Sequence, residues 1–147
     1  MKRRDASLNT LWPILIVIAA NTFYNICAKE IPDNVPPFAA LTITYISASI
    51  VSLILYFITN GSHHLMADVQ RINWASIVLG ISIVALEFGY IQVYRVGFNI
   101  SMGSLIANIG LAMVLIFVGV FLYKEVLTVN QVIGVILCIG GMIFLNR

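Results

Sequence analysis

Five stretches of about 20 predominantly apolar residues, separated only by short polar segments, restrict this chain to a lipid environment. With no water in the hydrocarbon to satisfy backbone N–H and C=O groups, such stretches have one common solution, the α-helix that closes every bond within itself. The runs fall at about residues 11–28, 37–59, 74–96, 102–122 and 128–145. Composition agrees, since 61% of the 147 residues are hydrophobic and 10% are charged. The expected fold is therefore all-α, a single integral membrane domain over residues 1–147 built as a bundle of five transmembrane helices. Little chain is left for a soluble enzyme, and the net charge of +2 forms no basic patch for nucleic acid.

Two features at the margins bound the class further. Cys27 and Cys138 lie in different runs without CxxC or metal-ligand spacing, so both read as reduced thiols and no cofactor is implied. Lys2, Arg3 and Arg4 followed by an apolar run to Ala19-Ala20 have the outline of a signal peptide. That run continues to Lys29 with the same polar pattern as its neighbours, and the segment is kept as the first helix, with Trp12 at the interface and Pro13 in its first turn.

Against this background Glu87 stands out, because it lies near the middle of the third run, where a charged side chain costs about 2.5–3.5 kcal/mol on insertion scales. A wet cavity, a cationic partner or protonation must offset that cost, and each makes the helix part of a pathway; the alternative is a buried carboxyl that locks helices together. Tyr90 and Tyr94 follow at i+3 and i+7, on the same face, with phenol groups that can hydrogen-bond a carboxylate or a ligand. Arg95 lies about 80° round the helix and roughly two turns on, too far to pair with Glu87 within the helix. It either meets a charge from elsewhere or reaches the interface.

Other helices carry polar stripes of their own. Asn21, Asn25 and Lys29 recur at i, i+4 and i+8, where the asparagines either bridge helices or line a cavity and Lys29 reaches toward headgroups. In the second helix Tyr45, Ser49, Ser52 and Tyr56 share a face; Tyr45 is the deeper ligand candidate, and Tyr56 suits an interfacial belt. Ser101, Ser104 and Asn108 line the fourth, with Asn108 its deepest polar group, whereas the fifth offers glycines and no central ionisable group. His63 and His64 fall in the longest polar break without companion ligands, as expected of a loop rather than a metal site. Glu125 precedes the last helix, where the helix dipole favours a carboxylate.

The order of these features resembles a known family. Lys29 closing helix one, PPFAALTITYISASIVSLIL, LEFGYIQVYRVG and the closing YKEVLTVNQVIGVILCIGGMIFLNR together look like one EamA-type half of the drug/metabolite transporter superfamily, over essentially the whole chain. The tail also resembles the small multidrug resistance family, whose members export cationic compounds by proton exchange. The resemblance implies a five-helix drug/metabolite transporter half-repeat, a central substrate cavity and alternating access. Two positions depart from the pattern: Asn21 stands where the small multidrug resistance family carries its coupling carboxylate, and Tyr45 where EamA-type halves commonly carry Arg.

An odd number of spans puts the termini on opposite sides, so a lone unit needs a second copy to build the cavity that inverted repeats build in one chain. A homodimer is expected, antiparallel by analogy, embedded in membrane lipid and acting on a small-molecule substrate. With the N-terminus inside, Lys2, Arg3, Arg4, Arg71 and Lys124 are cytoplasmic against Lys29, Arg95 and Arg147 opposite, a small bias toward a cytoplasmic N-terminus in a bacterial or archaeal inner membrane. The expected activity is export of a small metabolite or organic cation in exchange for protons, with Glu87 as the coupling group and Tyr90, Tyr94, Asn21, Asn25, Tyr45, Asn108 and Arg95 shaping the site. The rival readings are a lipid-carrier flippase, with Arg95 and Lys29 as phosphate partners, and a non-transporting membrane partner subunit.

Overall fold

A computed structural model describes residues 2–60, 65–126 and 128–145, and these residues form six helices and no strand. They are α1 (Lys2–Lys29), α2 (Pro37–Asn60), α3 (Leu65–Val69), α4 (Trp74–Arg95), α5 (Ile100–Phe121) and α6 (Val129–Leu145). Four of them contain spans long and apolar enough to cross a membrane, Leu11–Lys29, Pro37–Thr59, Trp74–Arg95 and Ile100–Phe121. The chain is thus a multi-pass integral membrane protein. With 17 residues, α6 rises about 25 Å, at the short end of what a hydrocarbon core of about 30 Å accepts.

The boundaries follow local chemistry. Pro37 opens α2 as its first residue, where the missing N–H is one of the unpaired donors of a helix start. Asn73 caps α4 by accepting from the Ala75 N–H at 3.1 Å. Gln131 reaches back over the start of α6: its amide oxygen accepts from the Thr128 N–H at 2.8 Å and from the Thr128 hydroxyl at 3.0 Å. That cap, not Glu125, closes the entrance to α6.

Two boundaries differ from expectation. The first helix starts at Lys2 instead of near residue 11, which leaves Pro13 inside it, because extending an existing helix needs no new nucleus even across one missing N–H. The polar break after α2 contains α3, held by a hydrogen bond from the Tyr56 hydroxyl to Asp68 Oδ2 at 2.6 Å; Tyr56 therefore serves as a tether. His63 and His64 lie outside the described residues.

By packing, the chain divides into two compact units, Met1–Gly97 and Phe98–Arg147. In the first, α4 packs against both α1 and α2. Its core is small: Asn25 and Ala28 from α1, Leu41 from α2, Ile91 and Tyr94 from α4. Phe38 and Phe88 stack in parallel at 5.1 Å and fix α2 to α4. Large apolar side chains such as Phe23, Ile43, Ile77 and Ile81 point outward, the surface expected against acyl chains. In the second unit α5 packs on α6.

The end of α4 depends on one glycine. Gly97 has φ 98°, the left-handed region, and its N–H donates to the Tyr94 carbonyl at 3.0 Å. Gly97→Ala is expected to cost about 1 kcal/mol, since an L side chain is strained there. Thermal unfolding in detergent reads that cost, and an unchanged midpoint refutes it.

Candidate functional site

Glu87 and the aromatic residues that follow it on α4 lie within the first unit. One stripe of α4 presents Glu87, Tyr90, Ile91 and Tyr94, and α1 and α2 pack on either side of it. Glu87 is half-buried. The sole ion pair found among the described residues joins Arg95 to Asp33, so Glu87 has no cationic partner there. Two phenol groups answer it instead, Tyr24 from α1 and Tyr45 from α2, both within electrostatic reach of the carboxylate. Both hydroxyls are buried without an aligned partner, although that of Tyr45 stands within hydrogen-bonding reach of the Glu87 carboxylate. Such groups are costly to leave unmatched, so this cluster is set up to receive a proton carrier, a water or a ligand atom.

A cavity of about 150 Å³ opens beside Glu87, with Tyr24 and Thr44 on its walls. Thr44 spends its hydroxyl on the Ala40 carbonyl at 3.1 Å. The Tyr24 ring meets Tyr90 edge-on at 5.5 Å, and Tyr90 lies 6.1 Å from Tyr94 at a tilt of 31°. Tyr24 escaped the reading of the sequence, where Asn21 and Asn25 drew the eye; it follows Asn21 at i+3 on the same stripe, a spacing that could have found it.

Next along the stripe, a polar relay links α4 to α1. The Tyr94 hydroxyl donates to Asn25 Oδ1, while Asn25 Nδ2 donates to Asn21 Oδ1 at 2.9 Å and to the Asn21 carbonyl at 2.7 Å. Asn25 is 5% exposed. Of the two roles open to Asn25, bridging helices is the one its contacts serve. Tyr94→Phe leaves Asn25 Oδ1 buried without that donor, and a stability loss of about 1–2 kcal/mol is expected in thermal unfolding. A variant as stable as wild type refutes the bridging role.

Arg95 does not reach Glu87. Its guanidinium turns to the α1–α2 loop, donating to the Pro32 carbonyl at 3.0 Å and the Val35 carbonyl at 2.7 Å, with Asp33 at 3.6 Å. Lys29, Glu30, Asp33 and Arg95 surround a second cavity of about 300 Å³ under that loop. The remaining expected residue, Asn108, belongs to the second unit, where it lines a groove of about 430 Å³ between α5 and α6 together with Glu125 and Gln131. Ser104 satisfies itself on the Ile100 carbonyl at 2.8 Å, and Ser49 and Ser52 are exposed on α2. Glu125 folds back on α5, its Oε2 2.7 Å from where a Cβ at Gly119 would stand.

Comparison with known proteins adds one match. A family model described as the EamA-like transporter family matches residues 9–147. No curated protein and no solved structure matches the chain.

Proposed function

The chain belongs to the EamA-like transporter family, and on that premise we propose that it is one protomer of a secondary membrane transporter that exchanges protons for a small metabolite or organic cation. The observation that carries this reading is the Glu87 cluster: a half-buried carboxylate inside a membrane span, without a cationic partner among the described residues, facing two buried phenols whose hydroxyls have no aligned partner. Glu87 holds a proton in one state and gives it up when substrate enters, and Tyr24, Tyr45 and Tyr90 offer hydroxyls to whichever occupant replaces it.

Size supports a second copy. The cavity beside Glu87 is about 150 Å³, below the roughly 300–1,000 Å³ of ordinary small-molecule sites. It holds a few waters or a small ion, so a metabolite requires walls that another protomer contributes. A homodimer with one cavity shared between two copies follows, in a cell membrane and with the N-terminus on the cytoplasmic side.

Less supports a lipid-carrier flippase, since Arg95, its main phosphate partner, already hands donors to the Pro32 and Val35 carbonyls. The decisive experiment reconstitutes the protein in liposomes with an internal pH dye and offers a panel of amines, amino acids and organic cations under an imposed proton gradient. Substrate-dependent dissipation of the gradient is the expected result. If uptake or efflux proceeds with no proton movement for every active compound, coupling is abandoned; crosslinking that recovers only monomer in the membrane removes the second copy.

A further inference from the structure

The charges gathered at the end of α1 leave one another largely unpaired. Lys29, Glu30, Asp33 and Arg95 all face the cavity of about 300 Å³ under the α1–α2 loop. Two are basic and two acidic, yet one ion pair joins them, Arg95 to Asp33 at 3.6 Å. Among the described residues the Lys29 and Glu30 side chains have neither an ion pair nor a hydrogen bond. The Arg95 Nε is buried without a hydrogen bond, although Nη2 of the same guanidinium serves two loop carbonyls. Both signs of charge therefore border one space with donors and acceptors unspent.

The structure assigns this cavity to a zwitterion with a primary ammonium and an anionic phosphate, the headgroup chemistry of an aminophospholipid. Lys29 takes the phosphate, with the charge of Arg95 behind it, and Glu30 and Asp33 take the ammonium. The site stands apart from Glu87 and holds a resident lipid, not a cargo.

Charge selects the class of ligand. A simple anion drawn to Lys29 and Arg95 is repelled by Glu30 and Asp33 across the same cavity, and a simple cation meets the reverse. A zwitterion satisfies both ends at once. A primary ammonium also brings N–H donors for the carboxylates, which a trimethylammonium lacks. Depth selects the source. Lys29 and Arg95 are the last residues of the spans Leu11–Lys29 and Trp74–Arg95, so the cavity lies at the level of the headgroups. The lining turns apolar at Ala28 and Ile91, which are set further into those spans, so the wall changes from charged to apolar in the same direction as a lipid does. The volume is at the lower end of the roughly 300–1,000 Å³ of small-molecule sites, enough for a headgroup whose acyl chains remain outside. Bound there, the headgroup links the end of α1 to the end of α4.

Delipidated full-length protein in detergent is titrated with dioleoyl phosphatidylethanolamine, phosphatidylcholine or phosphatidylglycerol, and native mass spectrometry measures the lipid retained. Phosphatidylethanolamine is expected to bind about tenfold more tightly than either of the others, the scale of one charge-assisted hydrogen bond. Lys29→Gln and Glu30→Gln are each expected to abolish that preference, and Lys29→Arg to keep it. Both side chains are exposed, so these substitutions leave the fold intact. Glu87→Gln is expected to keep the preference as well, which separates this cavity from the one beside Glu87. Glycerophosphoethanolamine, the same headgroup without acyl chains, is expected to bind far more weakly than the lipid. Equal retention of the three lipids, a preference unchanged in both Gln variants, or a preference lost with Glu87→Gln overturns the site. Free headgroup that binds as tightly as the lipid overturns the membrane source. Because the readout is lipid retention and not flux, its failure leaves the proton-exchange assay to stand or fall separately.

Discussion

Glu87→Gln is expected to remove substrate-driven proton movement in proteoliposomes, with a loss on the order of 100-fold or more, the scale that a positioned proton-transfer group contributes. Glutamine keeps the shape of the side chain and its capacity to bond Tyr24 and Tyr45, and it removes only titration. A fall in flux with retained fold therefore separates charge from packing. A large effect is expected because the described part of the first unit has no second acid inside its spans: Glu30 and Asp33 belong to the α1–α2 end, beside Arg95, and Asp68 is bound by Tyr56 outside the membrane spans. Glu87→Asp, which shortens the reach by one methylene, is expected to retain partial coupling. Should Glu87→Gln transport and acidify like wild type, the coupling role is wrong and the carboxyl is a packing group.

Arg95→Ala is expected to produce the largest loss of stability among the substitutions considered, about 2–3 kcal/mol. Two charge-assisted hydrogen bonds disappear, and although the Pro32 carbonyl keeps the Val35 N–H at 3.1 Å, the Val35 carbonyl loses the Arg95 donor. Asp33 adds little, because that residue is 86% exposed at 3.6 Å and such pairs are screened. Asp33→Asn is accordingly expected to leave the unfolding midpoint nearly unchanged. Arg95→Lys is expected to rescue in part, since both carbonyls accept from the single Nη2 nitrogen, a role that an ammonium with three donors can take. Thermal unfolding in detergent distinguishes these outcomes; an Arg95→Ala protein as stable as wild type shows the loop to be held by its prolines alone.

Much of this protein was legible in the order of its residues. The membrane class, all-α fold and main spans follow from the length of each apolar run, because lipid leaves the backbone no choice but to bond within the helix. The family resemblance followed from the order of motifs, and the family match over residues 9–147 agrees with it. The importance of Glu87 was visible for the same reason as the spans: one charge in an apolar run is an anomaly at the level of composition. Helical periodicity also put Asn21 beside Asn25 and Glu87 on the stripe of Tyr90 and Tyr94.

Partnership was not legible, because periodicity gives the face of a helix and says nothing of the helix opposite it. Arg95 read either as a partner for a charge from elsewhere or as a residue that reaches the interface, and only the path of the α1–α2 loop brings the Pro32 and Val35 carbonyls to it. Tyr24 carries no anomaly in its own sequence; its hydroxyl matters because α1 lays it against α4 near Glu87. Asn108 and Asn25 both read as residues shaping one site, yet the packing assigns one to the α5–α6 groove and the other to the buried relay with Tyr94. Local bonding within each helix is dictated by the residues themselves, whereas contacts between residues distant in the chain depend on the rotation and crossing of whole helices, which small steric differences at Ala28, Leu41 and Ile91 decide together.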